Sequence, residues 1–309
     1  MNPIATSRRV KRRLRPAEAL TVGFSLLLLI LSVYHRHHIP AAWHLVFIYG
    51  SLVLFQYLLV SLSVLNRFLS LTRDIIFPVM AVLVIFDSLE LIVHAVNPVD
   101  LDYLLIRLDY QLLGVHPTVW LQAFTTPLLS DILQVGYSTY YFLAIGLGVY
   151  VRLKGDDEAF SKTVFFILLC FYLSYVGYLL VPALGPRYAM DHLHEGPLVG
   201  FLAAEPIQRF LNLMEGIKRD AFPSGHTAIA LTVLYLAHRF AKRLFMVFLP
   251  CVILLVVSTV YCRYHYVVDV IAGVFLAVAV VIAGEVYYKF FVRSDRGVPP
   301  QRDIRGHFA

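Results

Sequence analysis

Tyr261-Cys262-Arg263-Tyr264-His265-Tyr266-Val267-Val268-Asp269 runs directly into an apolar stretch that continues to residue 291, interrupted only by Glu285 and Lys289 near its far end. About 20 apolar residues are needed to cross a bilayer core as a helix, so positions 267–291 read as a membrane span. The residues at its mouth are of a different kind. His265 and Asp269 stand four apart at the start of that helix, on one face and at neighbouring positions. A carboxylate there can accept a hydrogen from one imidazole nitrogen and leave the other unprotonated, which suits an oriented nucleophile or base.

Moving outward, the whole chain shares this character. Its 309 residues are 59% hydrophobic and 15% charged, with a mean hydropathy of +0.73. Such a composition excludes a soluble domain with a charged surface. Eight spans are expected, at 17–34, 44–65, 75–96, 128–151, 163–182, 224–238, 244–262 and 267–291, the sixth being short. The fold class is therefore all-α, a polytopic membrane bundle. Basic residues gather in the N-terminal arm from Arg8 to Arg15, at Arg67 and Arg73, at Arg152, Lys154 and Lys162, at Arg239, Lys242 and Arg243, and from Lys289 to Arg305. Eight spans with both termini cytoplasmic put all of these on the inner side. The net charge of +6 is then a topology signal and calls for no nucleic-acid partner. The expected location is the plasma or inner membrane, with the lipid bilayer itself as a partner.

The first span could be a cleaved signal peptide, but Pro40-Ala41-Ala42-Trp43 is a poor cleavage site, and an uncleaved helix is the expectation. Cys170, Cys251 and Cys262 lie in or at the ends of spans and form no disulfide framework. Residues 97–127 are too polar to span. Leu101, Leu104, Leu105, Leu108, Leu112 and Leu113 against Asp100, Asp102, Arg107 and Asp109 predict an amphipathic helix at the outer interface.

A second polar segment, Ala221-Phe222-Pro223-Ser224-Gly225-His226-Thr227, opens the sixth span and falls on the same, extracytoplasmic side as His265. Serine is a favoured N-cap, and the free N–H groups of a helix N-terminus attract anions. Glycine lets a backbone approach a phosphate closely, and His226 would project from the first turn. Two histidines, a carboxylate and nearby arginines are what phosphoryl transfer through a phosphohistidine requires. Taken singly, each histidine could equally be a headgroup-level residue like His35, His37 and His38.

Pro-Ser-Gly-His followed by His-x-x-x-Asp resembles the second and third signature motifs of the type-2 phosphatidic acid phosphatase superfamily. The resemblance covers the last six spans and implies a six-helix catalytic core, residues 75–292. Residues 1–74 would add the basic arm and two further helices, and 293–309 a cytoplasmic tail. It implies His265 as nucleophile, Asp269 as its orienting group, His226 as acid, and Ser224 and Gly225 as phosphate-binding residues. Two departures stand out. The arginine usually found six residues before the third-motif histidine is replaced by Thr259. Arg263, one helical turn further, is the expected substitute on the same face. In Gly185-Pro186-Arg187-Tyr188, Arg187 matches the first-motif arginine, but the first-motif lysine has no counterpart, leaving Lys218 and Arg219 as candidates to compensate. The Gly-Pro-Arg form, the Arg-Tyr-His-Tyr-Val-Val-Asp string and Asp109 to Pro117 look like the inositol-phosphorylceramide-synthase-like branch.

Three weaker features remain. Asp87, Glu90 and His94 share a face of the third span, as a substrate-headgroup site or as a self-satisfied polar cluster. Asp191, His192, His194 and Glu195 read as a solvent-facing loop in preference to metal ligands. Tyr172, Tyr175 and Tyr178 read as packing. The expected function is transfer of a phosphoryl group from a lipid phosphate or pyrophosphate to water or to a lipid alcohol, without metal or cofactor. A lipid-phosphate transporter is the alternative of another class.

Overall fold

The computed structural model describes residues 14–214 and 217–289, so the arginines of the arm before Leu14 and of the tail lie outside the described residues. The described chain is helical, with no strand among the described residues. Among the described residues, seven helices are long and apolar enough to cross a membrane. They are α1 (Pro16–Tyr34), α2 (Ala42–Leu62), α3 (Arg67–Val96), the pair α5 (Pro127–Ser138) and α6 (Tyr140–Leu153) that together form one span, α7 (Asp157–Leu180), α10 (Lys242–Tyr261) and α11 (Val267–Tyr287). Three further helices of more than ten residues are described, α4 (Asp102–Leu113), α8 (Ala204–Met214) and α9 (Gly225–Phe240), besides short helical turns.

Helix α9 corresponds to the short sixth span. Its 16 residues rise about 24 Å at 1.5 Å each, less than the ~30 Å core of a bilayer. It lies at the centre of the bundle, against α6, α7, α10 and α11. Thr227, Ala228, Ala230, Thr232, Val233 and Ala237 are fully buried there. Small residues on this helix let its neighbours come close.

The expected span at 128–151 is broken at Thr139, whose Oγ1 donates to the Gly136 carbonyl at 2.7 Å. Such back-bonding bends helices. Within α3 a π-turn, Thr72–Ile76, carries two buried charges, Arg73 and Asp74. Arg73 makes a two-pronged pair with Glu18 of α1. Asp74 accepts from Arg15 at 2.7 Å and from Arg152 of α6 at 2.9 Å. Buried ion pairs of this kind add little net stability but fix which partners meet, here α1, α3 and α6.

Tyr172, Tyr175 and Tyr178 are buried, as packing requires. Tyr172 stacks on Phe24 of α1 with ring centroids 4.7 Å apart. The predicted amphipathic helix is present as α4, ended by Gly114 at φ 72°, a left-handed conformation suited to glycine. Its polarity differs from the expectation. Leu104, Leu108, Leu112 and Leu113 are exposed, whereas Asp102 and Asp109 are buried, for a reason that lies in the site. Helix α8 was not expected from the sequence.

Candidate active site

Two turns bring the histidines together. In the first, Ser224 caps α9, its Oγ accepting from Thr227 N at 3.3 Å. Its own N–H donates to the Asp269 carbonyl at 3.0 Å, which ties the turn to α11. A side chain on Gly225 would place Cβ 2.2 Å from the Tyr178 hydroxyl, so only glycine fits.

The second turn ends α10. Arg263 N–H donates to the Val260 carbonyl at 3.0 Å and Tyr264 N–H to the Thr259 carbonyl at 2.9 Å, with Arg263 at φ 65°. This is a Schellman turn with arginine in the left-handed position usually held by glycine. It corrects an expectation. The helix stops at Tyr261, so Arg263 does not share a helical face with Thr259. Its guanidinium donates to the Gly196 carbonyl at 2.7 Å and lies 3.5 Å from Gln122 Oε1.

At the meeting point, four groups form one hydrogen-bonded line. Tyr137 Oη lies 2.8 Å from His226 Nε2, His226 Nδ1 lies 3.1 Å from His265 Nε2, and His265 Nδ1 lies 2.8 Å from the Ala221 carbonyl. The carbonyl sets the direction of the whole line, because it can only accept. His265 Nδ1 therefore carries the proton, and neutral His265 presents a lone pair at Nε2. His226 Nδ1 must then be the donor, and neutral His226 accepts at Nε2 from Tyr137.

Asp269 is close but serves differently from the expectation. Its Oδ2 accepts from Tyr266 N at 2.8 Å, completing a capping box for α11. The same oxygen lies 3.6 Å from His265 Nδ1, too far for a hydrogen bond. The hydrogen bond that orients His265 goes to Ala221, and Asp269, fully buried, stands beside the ring.

Among the cations, Arg187 reaches this line through two rings. Its guanidinium sits 4.9 Å over the Tyr264 ring, which stacks at 4.1 Å on Tyr137. Lys218 Nζ and Arg187 share the Tyr188 ring, at 6.0 Å and 4.7 Å. Arg219 is placed on two carboxylates, Glu90 and Asp100, and His94 joins it on Asp100 at 2.9 Å. Glu90 and His94 thus belong to one ion network that joins α3 to the segment before α9. Asp87 lies apart from it, in the wall of a cavity that His226 also lines.

Several contributors were missed. Asp102 accepts from Leu184 N, Gly185 N and the Tyr266 hydroxyl at 2.8 to 2.9 Å. Asp109 accepts from Val267 N and Val268 N, capping α11. Burial pushes the Asp109 carboxyl above its usual range, against the pull of those two N–H groups. Both acids of α4 thus face inward to hold the loops that present the histidines. The fit is tight at Gly185, where a Cβ would lie 2.5 Å from the Tyr264 carbonyl. Tyr137 and Tyr140, the latter with its ring centroid 4.3 Å from that of His226, were not singled out either. Asp109 was the one with a sequence signal, in the string shared with the synthase-like branch.

In the 191–195 loop, His194 Nε2 meets Thr118 Oγ1 at 3.2 Å. Burial, and then the Arg263 charge, lower the His194 imidazole to about 4. No group of three His, Cys, Asp or Glu side chains among the described residues is arranged to hold a metal ion.

Residues 104–283 match the family model described as the PAP2 superfamily, more than half of the chain and the part that holds both histidine turns. A PA-phosphatase related-family protein of Dictyostelium discoideum is 26% identical over 194 residues, covering 56% of this chain and 34% of the relative. The chain thus spans about a third of the length of that curated relative. No solved structure matches.

Proposed function

Since the chain belongs to the PAP2 superfamily, we propose that it takes the phosphoryl group from a membrane lipid phosphate by way of a phosphohistidine on His265. The family supports a phosphatase- or phosphotransferase-type activity. The observation that carries the finer reading is the Ala221–His265–His226–Tyr137 line, whose polarity gives His265 Nε2 a lone pair and puts a proton on the facing nitrogen of His226.

The phosphate enters between the two rings, which part to admit it. Its negative charge favours the imidazolium form of His226. His265 Nε2 forms a bond to phosphorus as the bond to the leaving oxygen breaks, and that oxygen takes the Nδ1 proton of His226. Neutral His226 then accepts a proton from water or an alcohol, whose oxygen attacks the phosphohistidine and releases His265. Tyr137 suits every state, since a hydroxyl can donate to Nε2 of the resting ring and accept from Nε2–H both in the imidazolium and in the neutral ring left after the transfer. Arg187 and the N-terminus of α9 hold the equatorial oxygens, and Asp269 balances the positive charge on His265. The basic connections support the extracytoplasmic face for this chemistry.

Acid-stable label is not expected from a phosphohistidine, so the test is an alkaline quench of purified protein after brief exposure to a 32P-labelled lipid phosphate. Wild-type protein should carry base-stable, acid-labile label, and His265→Ala none, with phosphate release abolished. His226→Ala should accumulate label with an acidic leaving group. Phosphate release at the wild-type rate by His265→Ala would end this reading, and binding without label would favour a transporter.

A further inference from the structure

A cavity of about 260 Å³ runs between α3, α6 and α7, with His226, Tyr178, Asp87 and Asp220 at one end and Asp74 at the other. Building on the lipid-phosphate reading above, we infer that this cavity is the seat of one hydrocarbon chain of the substrate, and that its closed end limits the length of that chain.

The direction of the cavity follows from the helices that line it. Tyr140, at the start of α6, packs its ring against His226. Arg152, near the end of the same helix, holds Asp74. The cavity therefore descends from the histidines along α6 to the Arg15–Asp74–Arg152 cluster, which closes it. Along α3 the lining residues run from Asp74 to Asp87, about 20 Å at 1.5 Å per residue. An extended chain advances roughly 1.3 Å per carbon for a C–C bond near 1.5 Å, so about 15 carbons fit this length. The volume lies just below the ~300 Å³ at which ordinary small-ligand sites begin, which suits one chain and not two. Leu83, Tyr141 and Ile145 line the cavity and are also exposed, so a chain can pass in sideways from the surrounding lipid.

The two ends sort the ligand by charge. Asp87 and Asp220 stand in the upper wall beside His226. A phosphate would be repelled from descending past them, and stays on the side of the Arg187 guanidinium, so only the uncharged chain goes down. Bilayer lipid is as apolar as the lining, so no hydrophobic gain accompanies entry. Selection comes from packing and from the closed end, and it should be flat for short chains and fall for those that exceed the depth.

Gly148 provides the test. It lines the cavity eight residues below Tyr140, about 12 Å down, and a Cβ there meets nothing within 4 Å. Gly148→Leu improves helix propensity while filling the middle of the cavity. Phosphate release is measured from octyl phosphate and hexadecyl phosphate at a fixed surface fraction in mixed micelles. A leucine there would overlap the bound chain, and if the clash costs what overpacking a filled interior does, binding weakens by about tenfold or more. Gly148→Leu should lower kcat/KM for hexadecyl phosphate by that factor and leave octyl phosphate within about twofold, whereas Phe142→Leu, on the exposed side of α6, should change neither. Equal losses for both substrates, or none, would overturn the inference. Hexadecyl phosphate bearing a terminal diazirine, bound to His265→Ala, should label the segments around Ile75 and Phe160, which line the deep end. Such labelling in the absence of any wild-type turnover would refute the proposed reaction and leave the chain site standing, whereas labelling confined to the outer surface of the bundle would refute the chain site.

Discussion

Replacing Tyr137 with phenylalanine removes one oxygen from a fully buried ring and tests the polarity of the histidine line. Tyr137 is 1% exposed and its hydroxyl lies 2.8 Å from His226 Nε2, while its ring stacks on Tyr264. The stacking survives in phenylalanine, so packing is little changed. His226 Nε2 loses its partner in a setting where water has little room, and an unsatisfied buried group costs about 1–3 kcal/mol. The neutral ring can then no longer rely on a donor at Nε2, and its proton is no longer held on the nitrogen facing His265. At 1.36 kcal/mol per decade, turnover should fall about 5- to 150-fold. The loss belongs to the acid, so it should be larger for an alkyl phosphate than for an aryl phosphate whose leaving oxygen needs no proton. Phosphate release from both substrate types, with thermal unfolding as the control for folding, reads this out. A variant within twofold of wild type on alkyl phosphate, or losing equally on both, would refute the assignment of direction along the line.

Asp109→Ala leaves two N–H groups of α11 without their acceptor and should cost about 0.5–2 kcal/mol, seen as earlier thermal unfolding together with lower activity; unchanged unfolding would deny it the capping role. At the Schellman turn, where Arg263 sits at φ 65°, Arg263→Gly should be better tolerated in unfolding assays than Arg263→Ala, because a non-glycine residue in the left-handed region carries about 1 kcal/mol of strain; the reverse order would refute the left-handed assignment at this position. For His194, the folded imidazole sits at about 4 against 6.5 for a free side chain. Between these values the unfolded chain binds the extra proton, so stability should decline as pH falls from about 6.5 through about 4. His194→Gln should flatten that part of a pH-dependent unfolding profile, and an unaltered profile would refute it.

Much of the bundle was legible in the sequence because the signals are local. Apolar runs declare spans, Pro-Ser-Gly-His declares a capped helix start, and His265 and Asp269 fall on one face by spacing alone. What the spacing could not say is which atom holds which. Asp269 proved to cap its own helix while the carbonyl of Ala221, 44 residues away, orients His265. Arg263 left the expected face because α10 ends two residues earlier, a decision made by the Schellman turn. The leucines of α4 suggested a helix on a surface. Only the fold showed Asp102 and Asp109 turned inward, because their partners are backbone N–H groups more than 80 residues further along. Tyr137 had no sequence signal at all, since one more aromatic in an apolar run looks like packing until His226 is set beside it. The sequence determines side-chain chemistry and neighbours within a turn of helix. The assignment of protons and charges in the site rests on contacts between distant segments, and those exist only once the helices are packed.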